Sequence, residues 1–196
     1  MIKTILPIVE GHSEEGAVPV LLRRLLPQLG RPEIQVARPF RVSRLKMVRP
    51  GEIERAIVQG IRDRRDVAAV LVILDADDDD PLGLEASLLE RCRTASPLPS
   101  AVVAACREFE AWFLGSKDSL RGVCGIRPDA NAPDSPESIR DAKGRLTSNM
   151  AGSRRYLEVA DQPVFAARMD LDLALRRCLS FQRLATKLER ILAASS

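Results

Sequence analysis

One segment constrains the fold more than any other. Val67-Ala-Ala-Val-Leu-Val-Ile-Leu74 is an unbroken apolar run that passes directly into Asp75-Ala-Asp77-Asp-Asp-Asp80-Pro81. The run is too short and too uniformly apolar for an amphipathic helix. It reads as a strand buried on both faces, which implies a parallel sheet covered by helices. Thr4-Ile-Leu-Pro-Ile-Val9 repeats the pattern and ends in Glu10-Gly11, and Ser100–Ala105 ends in Arg107-Glu108-Phe-Glu110-Ala-Trp112. Helical periodicities lie between these runs. Ser13 is placed as an N-cap ahead of Glu14 and Glu15; Val18, Leu21, Leu22, Leu25 and Leu26 follow at helical spacing, and Gly30 closes the helix. Ile34–Val36 reads as a second strand. Ile53, Ile57 and Ile61 mark a second helix, and a third follows around Leu84–Arg93. The order β-α-β-α-β-α-β predicts an α/β fold, a Rossmann-like parallel sheet flanked by helices.

Beyond Trp112 the texture changes. Residues 126–138 carry three prolines among Asp, Asn and Ser, which predicts a loop. From Ile139 onward the pattern is helical, with Ser180 placed to cap a last helix through Leu192. The expected organisation is a core over 1–125, a loop over 126–138 and a C-terminal helical appendage over 139–196 packed on the core. With 196 residues, 45% hydrophobic and 29% charged, there is enough apolar material for a full core. No stretch approaches the roughly 18–20 apolar residues that cross a bilayer. The acids after Val9 argue against a secretion signal. Four scattered cysteines (Cys92, Cys106, Cys124, Cys178) and a single histidine, His12, offer neither a zinc pattern nor a disulfide framework, so a reducing cytoplasm is expected. Gly-rich nucleotide loops and a G-x-S-x-G elbow are absent, which leaves ATP, NAD and serine-triad chemistry without their usual residues.

What remains is acid. Parallel strands place their carboxyl ends on one edge, where open α/β sheets bind ligands. Glu10, then Asp75 and Asp77, then Glu108 are therefore expected to converge. Oxygen-only donors suit a hard ion, Mg²⁺ or Mn²⁺, and the chemistry that such a site performs is phosphoryl transfer or phosphodiester hydrolysis. Asp79 and Asp80 read as charges at a helix N-terminus. Glu110 reads as the start of a helix that carries Trp112 and Phe113 into the core, leaving Glu108 as the better ligand. Tyr156 reads as packing and His12 as a loop residue, while Glu14 and Asp78 carry no assignment. Net charge is only +3, but Arg38, Arg41, Arg44, Lys46 and Arg49 fall within twelve residues that contain no acid. That segment either tracks a phosphate backbone of DNA or RNA or is a solvated edge or hairpin.

Ile8-Val-Glu-Gly-x-Ser-Glu14, Leu74-Asp-Ala-Asp-Asp78 and Arg107-Glu-Phe-Glu-Ala-Trp-Phe113 together resemble the Toprim-like domain of unknown function 4276. Lys143, Tyr156 and Ser180-Phe181 extend the resemblance over nearly the whole chain. Toprim domains occur in topoisomerases, primases, recombination proteins and OLD-type nucleases. The resemblance implies a Toprim-like fold, general acid/base or metal-binding work for Glu10, and Mg²⁺ ligation by Asp75 and Asp77. It also implies an ATPase partner, since OLD-type nucleases carry the Toprim unit fused to an ATPase. The expected function is Mg²⁺-dependent phosphodiester hydrolysis on nucleic acid, with Glu10 acting on the attacking water and Asp75, Asp77 and Glu108 holding metal. Two rival expectations stand beside it: a non-catalytic Toprim-like binding subunit, and a phosphatase or phosphotransferase for a small substrate.

Overall fold

The structure, a computed structural model, describes residues 3–62 and 64–194. Strand β1 (Thr4–Val9) is apolar from Ile5 onward and buried throughout. Helix α1 (His12–Gln28) follows, and then two short strands, β2 (Gln35–Val36) and β3 (Phe40–Arg41). A single turn, α2 (Arg44–Met47), leads to α3 (Glu52–Ile61) and to the long strand β4 (Val67–Asp75). Helix α4 (Pro81–Ala95) and strand β5 (Ser100–Ala105) complete the sheet. All pairings are parallel, in the order β2-β1-β4-β5, with β3 continuing the β2 side of β1. This is the α/β Rossmann-like arrangement that the apolar runs predict.

Alternation along β4 distributes the core. Ala69, Leu71 and Ile73 face the layer that contains α1, whereas Val70, Val72 and Leu74 face α3 and α4. Chain beyond β5 forms α5 (Ala111–Gly115), α6 (Ala142–Ser148), α7 (Glu158–Arg168), α8 (Leu171–Arg177) and α9 (Leu179–Ala193). These C-terminal helices pack on the sheet and share one apolar cluster with β1, β4 and β5. An aromatic chain locks them together: Phe109 lies 4.6 Å from Trp112 between ring centroids, Trp112 5.2 Å from Phe181, and Phe113 5.5 Å from Phe165. Pairs of this kind add about 0.5–1.5 kcal/mol each beyond the area they bury. The turn that carries Glu108 and Glu110 is thereby held rigidly against the C-terminal layer. Among the described residues no helix is long and apolar enough to cross a membrane.

Three local expectations change. Helix α1 begins at His12 with Gly11 as cap, so Ser13 is a buried residue of the first turn and makes no capping bond. Ser180 lies inside α9; its hydroxyl accepts the Trp112 indole N–H at 2.8 Å, satisfying a donor that burial would otherwise strand. The basic segment 38–49 forms neither a hairpin nor a long edge: two residues pair parallel with β1 and the chain then turns into α2. Asp80 does cap a helix, accepting from the N–H groups of Leu82 and Gly83 ahead of Pro81 in the first turn of α4.

Candidate active site at the carboxyl edge of the sheet

Glu10 leaves the end of β1 and Asp75 closes β4, its neighbour in the sheet. The Asp75 N–H donates to Glu10 Oε2 at 3.2 Å, and Asp75 Oδ1 accepts the Phe109 N–H at 2.7 Å. Strand ends β1 and β4 and the turn after β5 are therefore tied together through these two carboxylates. Glu14 joins them because α1 starts directly after Glu10, which brings an acid one turn along back over the strand end. Gly11 makes this approach feasible, since a Cβ there would run into the Glu14 carboxylate.

From the turn after β5, the acid that joins this centre is Glu110, not Glu108. Glu110 is fully buried and its Oε1 accepts from the Tyr156 hydroxyl at 3.1 Å and from Gln162 Nε2 at 3.2 Å. Glu108 instead turns to the start of α6, where its two oxygens accept the N–H groups of Ala142 (3.2 Å) and Lys143 (3.4 Å). Its effect is to fix α6 so that Lys143 reaches the cleft. Lys143 Nζ lies 4.0 Å from Glu110 Oε2 and 3.6 Å from Glu158 Oε2. Glu10, Glu14, Asp75, Lys143, Tyr156 and Glu158 line a cleft of about 650 Å³. Asp77 stands outside this lining, exposed, although its charge still acts on Glu10.

The electrostatics follow from this crowding. Burial raises the Glu10 carboxyl above its ordinary range, aided by Glu14 and Asp77 and opposed by the Asp75 N–H and Arg44. Burial raises Glu14 as well. Asp75 is held well above the usual carboxylate range by desolvation, then by the charges of Glu110, Glu14 and Glu10, with Lys143 opposing. Burial pushes Glu110 up to about 7. Lys143 is held firmly protonated by Glu110, Asp75, Glu158 and Glu108, which outweigh its own desolvation. Five acids, Glu10, Glu14, Asp75, Glu110 and Glu158, thus surround Lys143, and the buried Oε2 atoms of Glu14 and Glu110 have no hydrogen-bond partner. All donors are hard oxygens, the set that Mg²⁺ or Mn²⁺ takes, and two carboxyl oxygens without a hydrogen bond fit an added cation in kind. Among the described residues no three acids, histidines or cysteines stand preassembled as an ion site.

The basic segment reaches this edge through the sheet register. Val9 pairs with Arg41, which sets Arg41 beside the strand end that bears Glu10. Arg38, Arg41, Lys46 and Arg49 are exposed, whereas Arg44 is drawn inward by an ion pair with Asp79. Arg41 and Lys46 line one groove of about 230 Å³, and Arg38 and Arg41 border a second of about 460 Å³. At the ends of β4 and β5, Asp77 (φ 50°) and Arg107 (φ 66°) both adopt the left-handed conformation. Each such residue costs about 1 kcal/mol or more, and arginine lacks the local hydrogen bonding that lets aspartate tolerate it.

Of the site residues, Glu10 and Asp75 were legible from position alone. Glu110 was hidden because its apolar neighbours, Phe109 and Ala111–Phe113, point to core; an acid embedded in such a run is itself the signal of a buried carboxylate. Glu14 could have been found from its spacing of one helical turn from Glu10. Lys143 and Tyr156 come from beyond the loop, and no periodicity aims them at the sheet.

A parallel sheet whose carboxyl edge gathers acids around a lysine defines an α/β domain with an acid-lined cleft. The family model described as Domain of unknown function (DUF4276) matches residues 9–189, and the chain belongs to that family. No curated protein and no solved structure matches it.

Proposed function

We propose that the chain is a Toprim-like, divalent-metal-dependent phosphodiesterase that acts on DNA or RNA. The observation that supports this reading is the excess of carboxyl groups over cations at the sheet edge, with Glu14 Oε2 and Glu110 Oε2 buried without a hydrogen bond. Glu10, Glu14 and Asp75 would hold Mg²⁺ or Mn²⁺, with the charge of Asp77 acting on Glu10 from outside the cleft. Bound there, the ion would neutralise a phosphate and lower the pKa of a coordinated water. Glu10, raised by burial and oriented by the Asp75 N–H, is the group suited to accept a proton from the attacking water. Lys143, fixed through Glu108, stays charged and offsets negative charge developing on the phosphate oxygens. Tyr156 donates its proton to Glu110, so it braces that carboxyl and is no free nucleophile.

Nucleic acid is favoured over a small substrate by the basic grooves that begin one residue from Glu10 at the Val9–Arg41 register. A partner ATPase fits the same reading, as in the OLD-type nucleases the sequence resembles. Titration calorimetry with Mn²⁺ tests the ion. The parent should bind, and Asp75→Asn and Glu10→Gln should each weaken binding by about tenfold or more, the scale of losing an anionic ligand. Equal binding by parent and both variants would remove these residues as ligands.

A further inference from the structure

A second cluster lies beside the carboxylates, on the strained exits of β4 and β5. Asp77 and Arg107 are both left-handed and are bonded to each other twice. The Asp77 N–H donates to the Arg107 carbonyl at 2.9 Å, and an Arg107 guanidinium N–H donates to the Asp77 carbonyl at 3.3 Å. The conformation that arginine adopts at an energetic cost is the one that keeps its guanidinium at the sheet edge. The same guanidinium meets Asp78, and Arg140 arrives from the far side of the proline-rich segment to meet the same oxygen, Asp78 Oδ1, at 2.6 Å. One carboxylate, 71% exposed, therefore sits between two arginines that are 29% and 69% exposed. Asp77, Asp78, Arg107, Glu108 and Arg140 enclose a small depression of about 90 Å³.

Two guanidiniums offer up to ten N–H donors, far more than one carboxylate oxygen can accept. A phosphate group presents more oxygens and more charge, and planar guanidinium forks match it better. The depression opens two residues from Asp75 and is bounded by Glu108, whose other contacts position Lys143. A phosphate held there lies next to the cleft.

We infer that Arg107 and Arg140 form a phosphate clamp for the substrate strand, and that Asp78 occupies this clamp as an internal anion until a phosphate displaces it. The inference rests on the proposed action on nucleic acid for its ligand, but not on metal binding or on cleavage. Backbone strain at Arg107 then has a use: it holds one arm of the clamp at the edge before the ligand arrives.

The test is fluorescence anisotropy of a labelled single-stranded oligonucleotide, with Ca²⁺ present to offset the acids and, in parallel, with EDTA. Arg140→Ala should weaken binding by about threefold to tenfold, the scale of one charge-assisted contact at a partly exposed site. Asp78→Asn should tighten it by a similar factor, because the competing anion is gone. Glu33→Gln makes the same charge change just before β2, at the opposite edge of the sheet, and should leave binding as it was. Inorganic phosphate should compete with the oligonucleotide less well against Arg140→Ala than against the parent. An ordinary surface ion pair gives a different result: neither Arg140→Ala nor Asp78→Asn changes affinity, and the clamp is overturned. It is equally overturned if Glu33→Gln tightens binding as much as Asp78→Asn, or if the parent does not bind. Opposite shifts in the two variants without cleavage in Mg²⁺ would keep the clamp and remove the hydrolase. Cleavage with unshifted binding in both variants would do the reverse.

Discussion

Replacing Glu110 with glutamine should make the protein more stable at neutral and alkaline pH, although it removes a buried charged residue. Glu110 is fully buried, and desolvation raises its carboxyl from the ordinary 4.5 to about 7. That rise corresponds to about 3 kcal/mol, at about 1.4 kcal/mol per pH unit. The folded state binds this proton more tightly than the unfolded state does. The stability that this proton contributes is therefore fully present below pH 4.5 and is lost as pH rises through about 7. Glutamine mimics the protonated acid: its Oε1 still accepts from Tyr156 and Gln162, and it carries no charge toward Asp75. Relief of Asp75 acts in the same direction. At pH 8 the variant should exceed the parent by up to about 3 kcal/mol, or roughly 6–12 °C in Tm for a chain of this size. Near pH 4.5 the two should converge. Thermal unfolding followed by circular dichroism in EDTA across this range measures the difference. Parallel stability curves for parent and variant would refute a buried, proton-holding Glu110.

Further outcomes follow from other parts of the structure. Gly11→Ala should displace the Glu14 carboxylate and lower Mn²⁺ affinity by about tenfold to a hundredfold in calorimetry, at little cost to the fold because Gly11 has an extended backbone. Glu85→Ala should cost about 2–3 kcal/mol in urea unfolding. Glu85 is buried and holds the Ala104 N–H together with Arg183 and Lys187 of α9, so its loss strands that N–H and leaves the two cations only the carbonyls of Ala104 and Val102. Joint replacement of Arg41 and Lys46 by alanine should flatten the salt dependence of oligonucleotide binding by about 0.7–0.9 per lost phosphate contact. An anisotropy salt series reads that slope, and Arg44→Ala should flatten it less because Arg44 is held inward against Asp79, whereas Arg41 is exposed and only loosely paired with Glu15.

The sheet was legible because its strands are short, unbroken apolar runs that stop on charges, a pattern that only doubly covered parallel strands require. Glu10 and Asp75 were legible for the same reason: a strand end in a parallel sheet has a known edge. What the pattern could not show was the route of the chain after β5. Whether Glu108 or Glu110 faces the centre depends on the tight turn at Arg107, whose left-handed backbone breaks any strand or helix period. Local composition favoured Glu108, and tertiary packing chose Glu110 by burying Phe109, Trp112 and Phe113 around it. Ser13 and Ser180 look like caps in sequence because serine competes for exposed N–H groups, but both are buried, and Ser180 serves the Trp112 indole instead. The basic segment was legible as charge but not as shape, since its strand is only two residues long.

The most direct measurement is cleavage of a labelled oligonucleotide, DNA and RNA in parallel, by the parent chain and by Glu10→Gln and Asp75→Asn in Mg²⁺ or Mn²⁺. The expected result is cleavage that requires the metal, stops with EDTA and falls by about a hundredfold or more in each variant. Cleavage at the parent's rate in both variants, or none by the parent on either nucleic acid with either metal, would contradict a metal-dependent hydrolytic centre at the carboxyl edge of this sheet.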